Sequence, residues 1–341
     1  MSEPRPRVWV SQPLFDDIIA RLDTYFDVDA TREVADHAPA RIAEALREAD
    51  GALVTLNDPI GAAQVAQASR LRAIANVGVG YNNLDAPALQ ARGIVLTNTP
   101  DVLTETTADF GFALMMAAAR RITEAERWLR DDQWQGWAFK SLLGADIHGA
   151  TLGILGMGRI GQGIARRAGG FGMRVLYHNR SRLPEAVERE CDAAYVDYET
   201  LFAQADHVVL VLPYSAQNHH LIDAATLARM KPAATLTNIA RGGLIDEAAL
   251  ADALAGGRLA AAGLDVFEDE PKVDQRLLAL SNVVLTPHIA SGSLATRRAM
   301  VALAVDNLIA ALGFGPEAGK PRNAIPVAKS PAVLPPLKKG D

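Results

Sequence analysis

The chain has 341 residues, with 34 Lys or Arg against 40 Asp or Glu and a formal charge of −6; that length predicts about two domains. Its 49% hydrophobic content supplies core material that a disordered chain lacks, and the acidic balance without a basic block argues against nucleic acid or an anionic membrane as partner. The single Cys191 permits no internal disulfide and points to a reducing compartment, while one Cys and seven His without CxxC or HxxxH spacing predict no metal.

The chain starts Met1-Ser2-Glu3-Pro4-Arg5-Pro6, without the apolar core of a signal peptide. Short apolar runs then alternate with helical patterns, the signature of βαβ units and parallel sheets. In the first hundred residues strands are expected at 7–10, 52–55, 73–77 and 94–97, and helices at 13–25 and 60–69. One long helix is expected from about Thr104 to Leu129, with Leu103, Phe110, Leu114 and Ile122 among its apolar positions. Its longest apolar stretch, Phe110 to Ala119, is far short of a bilayer span, so a cytoplasmic protein is expected. Residues 130–149, rich in Trp, Gly and Asp, read as a connecting arm. A second alternating series predicts strands at 151–155, 173–177, 207–212, 234–239, 260–265 and 283–286, then a helix at 293–312. The proline-containing end, 315–341, reads as an irregular tail.

Gly156-Met157-Gly158-Arg159-Ile160-Gly161 follows an expected strand and opens a helical run. In that context GxGxxG is a dinucleotide fingerprint: two glycines for the tight turn and close approach of pyrophosphate, the third for helix–strand packing. About 20 residues on, an NAD site presents an acid to the ribose hydroxyls. Here no Asp or Glu occurs between Met157 and Pro184, and the strand ends in His178-Asn179-Arg180-Ser181-Arg182. Arg180, with Asn179 and Ser181, suits a 2′-phosphate, so NADP(H) is favoured and NAD(H) remains open. An acid at His178 is the change expected to restore NADH use.

Three more segments end expected parallel strands, the edge where open α/β sheets bind ligands. Asn238-Ile239-Ala240-Arg241 carries a cation. Gly263-Leu264-Asp265-Val266-Phe267-Glu268-Asp269-Glu270-Pro271 carries carboxylates. Leu285-Thr286-Pro287-His288 carries an imidazole. Beside a nicotinamide such a set suits carbonyl reduction: Arg241 clamps a keto acid, His288 donates the proton, and Glu270 orients and charges the imidazole.

These segments resemble the D-isomer-specific 2-hydroxyacid dehydrogenases, from about Leu53 to Asn323. Within that family the chain is most similar to the NADP(H)-dependent glyoxylate/hydroxypyruvate reductases, including those acting on 2-ketogluconate. The resemblance implies two Rossmann-like, doubly wound parallel-sheet α/β domains with an interdomain cleft. It places a substrate-binding domain in 1–99, an NAD(P)-binding Rossmann domain in 100–287, and in 288–341 a helix returning to the first domain plus the tail. It makes Arg241, Glu270 and His288 catalytic and sets Asp265 against the nicotinamide carboxamide. Leu212, Pro213, Ile239, Ala240 and Ser291 join the cofactor site. Leu56, Val79 and Gly80 join the substrate site, through the loop Asn76–Asp85 whose backbone N–H groups grip a carboxylate.

A homodimer is also implied, with the arm bearing Trp134 and Trp137 as part of the contact or, alternatively, buried within its own chain. His37, His148, His207, His219 and His220 are expected to be solvated or structural, and Asp109 structural. Two rivals stay open. One is a nucleotide-sensing, corepressor-like binding protein on the same fold. The other is an NAD-dependent phosphoglycerate-type dehydrogenase, against which 54–60 offers no extra Arg or Lys.

Overall fold

The computed structural model describes residues 4–33 and 37–327. They divide into two α/β units: one holds the residues up to Leu103 and those from Gly292 onward, the other Thr104–Ser291. Met1–Glu3 and the last part of the expected tail, 328–341, lie outside the described residues. Among the described residues no helix is long and apolar enough to cross a membrane.

The first unit is a parallel five-stranded sheet of β1 (Arg7–Val10), β2 (Asp27–Ala30), β3 (Gly51–Val54), β4 (Ala73–Asn76) and β5 (Val95–Thr97), in the order β2-β1-β3-β4-β5. The strand order, not the strand direction, reverses between β1 and β3, the kind of place where open α/β sheets form a crevice at the strand ends. Strand β3 and most of β4 and β5 are apolar and buried, as a sheet covered on both faces requires. The helix Leu294–Ala311, N-capped by Ser293 Oγ on Thr296 N–H, packs on this sheet. Gly51 permits the approach: a Cβ there would stand 2.8 Å from Leu312 Cδ1.

The second unit is a parallel seven-stranded sheet of β6 (Thr151–Leu155), β7 (Arg174–His178), β8 (Ala193–Tyr195), β9 (His207–Leu210), β10 (Thr235–Asn238), β11 (Ala261–Leu264) and β12 (Val283–Leu285). Its order, β12-β11-β10-β9-β6-β7-β8, is the dinucleotide-binding arrangement with the reversal between β6 and β9. The first unit instead has the flavodoxin-type order of the same doubly wound class.

Several sequence expectations need correction. The helix expected over 13–25 is only Asp16–Ile19 and a 3-10 turn, Leu22–Thr24. No helix forms over 60–69, because Ile60 pairs through its backbone with Asn83 and Asp85. The helix expected over 104–129 is two, Thr104–Ala119 and Ile122–Arg130. Arg121 is left-handed at φ 54° between them, with its guanidinium held by Glu124, and Ala145 N–H caps the first helix at Ala119 O. The two strands missed, β2 and β8, are sheet edges whose exposed sides carry no continuous apolar run. Within the expected irregular tail, Ala324 forms an antiparallel bridge with Thr97.

Candidate active site

The glycine loop joins β6 to the helix Arg159–Gly169. Gly156 has φ +104°, and a Cβ there would stand 2.7 Å from Leu212 N. A Cβ on Gly161 would stand 2.4 Å from Gly156 O, so strand, turn and helix close on one another only with glycine at both places. Gly158, the helix N-cap, has no side-chain cap, and a Cβ there would meet nothing within 4 Å. That open helix N-terminus, lined by Arg159 and Ile160, fits a pyrophosphate. Leu212 is buried beside the loop and Pro213 is exposed after it.

At the end of β7 the loop toward the ribose is tied at both ends. Asn179 Oδ1 accepts from Met157 N–H at 2.7 Å, which places Asn179 against the glycine loop. His178 is 4% exposed, with Nδ1 on Val196 O, so the change expected at His178 falls on a side chain turned into the fold, whereas Asn179 is half-buried. At the far end Tyr177 Oη donates to Glu188 Oε1 at 2.6 Å and accepts from Leu183 N–H. Arg182 meets both oxygens of Glu188, at 2.9 and 2.8 Å. Arg182 is thereby engaged, and Arg180 and Ser181 are left exposed between the anchors. The bonds from Arg182 and Tyr177 hold Glu188 at about 2, and burial with the Glu188 contact pushes Tyr177 up to about 12. None of this clamp was legible in sequence, where Glu188 sits in the charged run Glu185–Glu190 and reads as solvated.

The candidate set of Arg241, Glu270 and His288 comes from the ends of β10, β11 and β12. Asn238 is fully buried; its Oδ1 accepts from Ala240 N–H and its Nδ2 donates to Arg241 O, which shapes the turn carrying Arg241. Gly242 must be glycine: a Cβ there would lie 1.8 Å from Phe267 C. Arg241 Nη1 donates to Ala240 O; burial lowers its pKa and the charge of Glu270 opposes that shift. Glu270 Oε1 accepts from Phe267 N–H at 2.9 Å, and its Oε2 faces His288 Nδ1 at 2.8 Å. Burial would raise Glu270, yet His288, the Phe267 N–H and Arg241 together hold it below the usual range.

Asp265 is fully buried. Its Oδ1 accepts from Thr286 Oγ1 and Ile289 N–H, and its Oδ2 from Ala290 N–H. These bonds fold the segment so that His288, left-handed at φ +53°, presents Nδ1 to Glu270. The structure thus brings Arg241, Glu270, His288 and Asp265 together, flanked by buried Ile239 and Ala240 and half-buried Ser291. Asp109, on the helix Thr104–Ala119, pairs with Arg167.

In the first unit Leu56, Val79 and Gly80 are half-buried at the edge formed by β3 and β4. Among the described residues no backbone carbonyl accepts the N–H of Val79 or Gly80. Beneath them runs a polar scaffold that sequence reading missed. Asn76 Nδ2 donates to Gly80 O, Asn83 Nδ2 to Thr55 O, Asp58 O and Asn76 Oδ1, and buried Asp58 accepts from Ser11, Thr55 and His37. The only sequence signal was the Asn-rich composition of the Asn76–Asp85 loop.

A family model for the D-isomer specific 2-hydroxyacid dehydrogenase, NAD binding domain, matches residues 112–290. The chain belongs to that family. It is an NAD(P)-dependent oxidoreductase. It is 45% identical over 308 residues to a glyoxylate reductase of Korarchaeum cryptofilum, covering 90% of this chain and 92% of the relative. A glyoxylate/hydroxypyruvate reductase B of Klebsiella pneumoniae is 44% identical, with 90% and 95% covered. Among solved structures it is similar to the NADPH-dependent glyoxylate/hydroxypyruvate reductase of Sinorhizobium meliloti in complex with NADP and malonate. The TM-score is 0.81 at 36% identity, over 94% of this chain and 100% of the other.

The Glu188 clamp makes a pH prediction. A carboxylate held at about 2 when folded, against 4.5 ordinarily, stabilises fully above 4.5 and loses that contribution as pH falls toward 2. Glu188→Gln should therefore be less stable than the parent near neutrality, with the gap narrowing through that acid window in urea titrations. A gap independent of pH would mean that the charge on Glu188 contributes nothing.

Proposed function

We propose that the protein reduces a small 2-keto acid of the glyoxylate, hydroxypyruvate or 2-ketogluconate class to the D-2-hydroxy acid, drawing hydride from NADPH. The observation that carries this is the 2.8 Å pairing of His288 Nδ1 with Glu270, beside a half-buried Arg241. With Nδ1 committed to the carboxylate, Nε2 is the nitrogen that delivers a proton. The bound nicotinamide supplies the hydride. His288 would give its proton to the carbonyl oxygen as negative charge develops there.

Arg241 holds the carboxylate and carbonyl oxygen by charge-assisted bonds that strengthen as negative charge grows on oxygen. Asp265 is assigned the hold on the His288 turn; with no exposure, it has no oxygen open to the carboxamide contact that the resemblance implied. The N–H groups of Val79 and Gly80, with Leu56, are assigned to the substrate carboxylate.

A panel of glyoxylate, hydroxypyruvate, 2-ketogluconate and pyruvate, run with NADPH and NADH, tests the reading; binding of NADPH without turnover of any of them overturns it. His288→Ala should lower kcat by about 10²–10⁴-fold, the range of general acid catalysis, with NADPH affinity retained. Arg241→Ala should lower kcat/KM comparably. Near-normal turnover in either variant removes that residue from the mechanism. Glu270→Gln should lose activity at a lower pH than the parent, because a neutral amide orients His288 without stabilising its protonated form.

Cofactor choice rests on exposed Arg180 and Ser181 between two anchored ends. A charge-assisted bond contributes about 1.5–3 kcal/mol. Discounted for solvent, it leaves roughly a tenfold preference for NADPH in kcat/KM. Arg180→Ala should reduce that ratio through the NADPH KM, and Asn179→Asp should shift preference to NADH. A parent enzyme that prefers NADH refutes this part while leaving the proton-transfer assignment intact.

Trp137 and Phe139, each 80% exposed and packed edge to face, lie with Trp134 on the arm, so burial within the chain is not their role. That apolar surface is assigned to a homodimer contact. Sedimentation as a dimer supports it, and sedimentation as a monomer removes it.

A further inference from the structure

Outside the hydride-transfer site, three potential metal-ligating side chains of the second unit converge. His219 and His220 follow the 3-10 turn Ala216–Asn218, and Glu268 lies in the segment after β11. One ligand atom of each falls within 4.8 Å of the other two. We propose that His219, His220 and Glu268 form a binding site for a late first-row divalent cation of the zinc class.

The geometry suits such an ion. Nε2 of His220 lies 2.7 Å and Nε2 of His219 3.7 Å from the same oxygen, Oε1 of Glu268. Zinc bonds of about 2.0–2.2 Å in a tetrahedral shell put ligand atoms roughly 3.4 Å apart, so the two separations to Oε1 need to change by about 0.7 and about 0.3 Å. The two rings are stacked, with centroids 3.8 Å apart and 24° between planes, and both direct Nε2 toward the carboxylate; because an imidazole ligates in its own plane, binding requires the half-exposed rings to turn out of the stack. A cation bound to two neutral imidazoles and the carboxylate uses all three groups at once.

The donors are also held in place. Tyr214 Oη meets His219 Nδ1 at 3.1 Å, the outer hydrogen bond that fixes which nitrogen faces a metal. Asn218, bonded to Ser215 N–H and Pro213 O, braces the turn. His220 is left-handed at φ +50°, with its N–H on Gly243 O. Glu268 N–H is held by Glu247 Oε1 at 2.8 Å. Two imidazoles with one carboxylate select zinc, cobalt or nickel over magnesium or calcium, and the partial exposure of all three residues leaves room for completing waters.

The test uses chelator-stripped protein titrated with Zn2+ by calorimetry and with Co2+ by visible absorption. One equivalent should bind, Co2+ should develop d–d bands, and Zn2+ should raise Tm through preferential binding to the folded state. His219→Gln, His220→Gln and Glu268→Gln should each weaken Zn2+ affinity at least tenfold and remove the Tm rise. Tyr214→Phe should weaken it as loss of an outer partner does, and His148→Gln, an exposed histidine elsewhere, should leave it unchanged. Metal-free variants melting as the parent does show that the fold is intact. No Zn2+ binding, undiminished binding in the three ligand variants, or preference for Mg2+ would overturn the proposal.

Discussion

Asp265 is the constraint on which the active site depends. A carboxylate with no exposure is costly, and burial pushes its pKa up. The hydrogen bonds from Ile289, Thr286 and Ala290 oppose that shift. Each such bond to a charged group contributes about 1.5–3 kcal/mol, which offsets part of a burial penalty of several kcal/mol. The donors are obtainable only if the chain after β12 folds back over Asp265. That fold puts His288 into a left-handed conformation, sparsely populated for any residue with a Cβ, and aims its ring at Glu270. The pairing of His288 with Glu270 follows from how a neighbouring buried charge is satisfied.

The same economy joins β10 to β11. The backbone after Arg241 runs so close to Phe267 that Gly242 has no room for a side chain. Phe267 in turn donates its N–H to Glu270. Arg241, Glu270 and His288 are thus related through backbone contacts and buried hydrogen bonds, which hold positions more tightly than long side chains in water do. Parallel strands place all three at one edge because every strand of the sheet ends on the same side.

Residues 178–183 show a different compromise. His178 and Tyr177 are buried, Asn179 is attached to the glycine loop, and Arg182 is attached to Glu188. Of two arginines flanking Ser181, one serves the fold and the other faces solvent. Residue type alone does not distinguish them.

Features that a short stretch of chain enforces by itself were readable in the sequence. The apolar runs of central strands, the glycine turn after β6, the helix at 293–312 and the segments bearing Arg241, Glu270 and His288 all depend on local composition, or on a resemblance carried by contiguous residues. The edge strands β2 and β8 were missed because one side faces water, and the helix over 104–129 was overextended because its break at Arg121 is set by Glu124 and by the distant Ala145. The Tyr177–Glu188–Arg182 clamp, the Asp58 network and the meeting of His219, His220 and Glu268 were likewise absent from any sequence pattern. Local propensity and periodicity act over a few residues, whereas these partners lie up to tens of residues apart and meet only when the sheets are assembled. The sequence by itself determined which elements form and which residues stand at the strand ends; the tertiary structure decided which of those side chains are buried, paired and aimed, because desolvation and hydrogen bonding are properties of the packed chain.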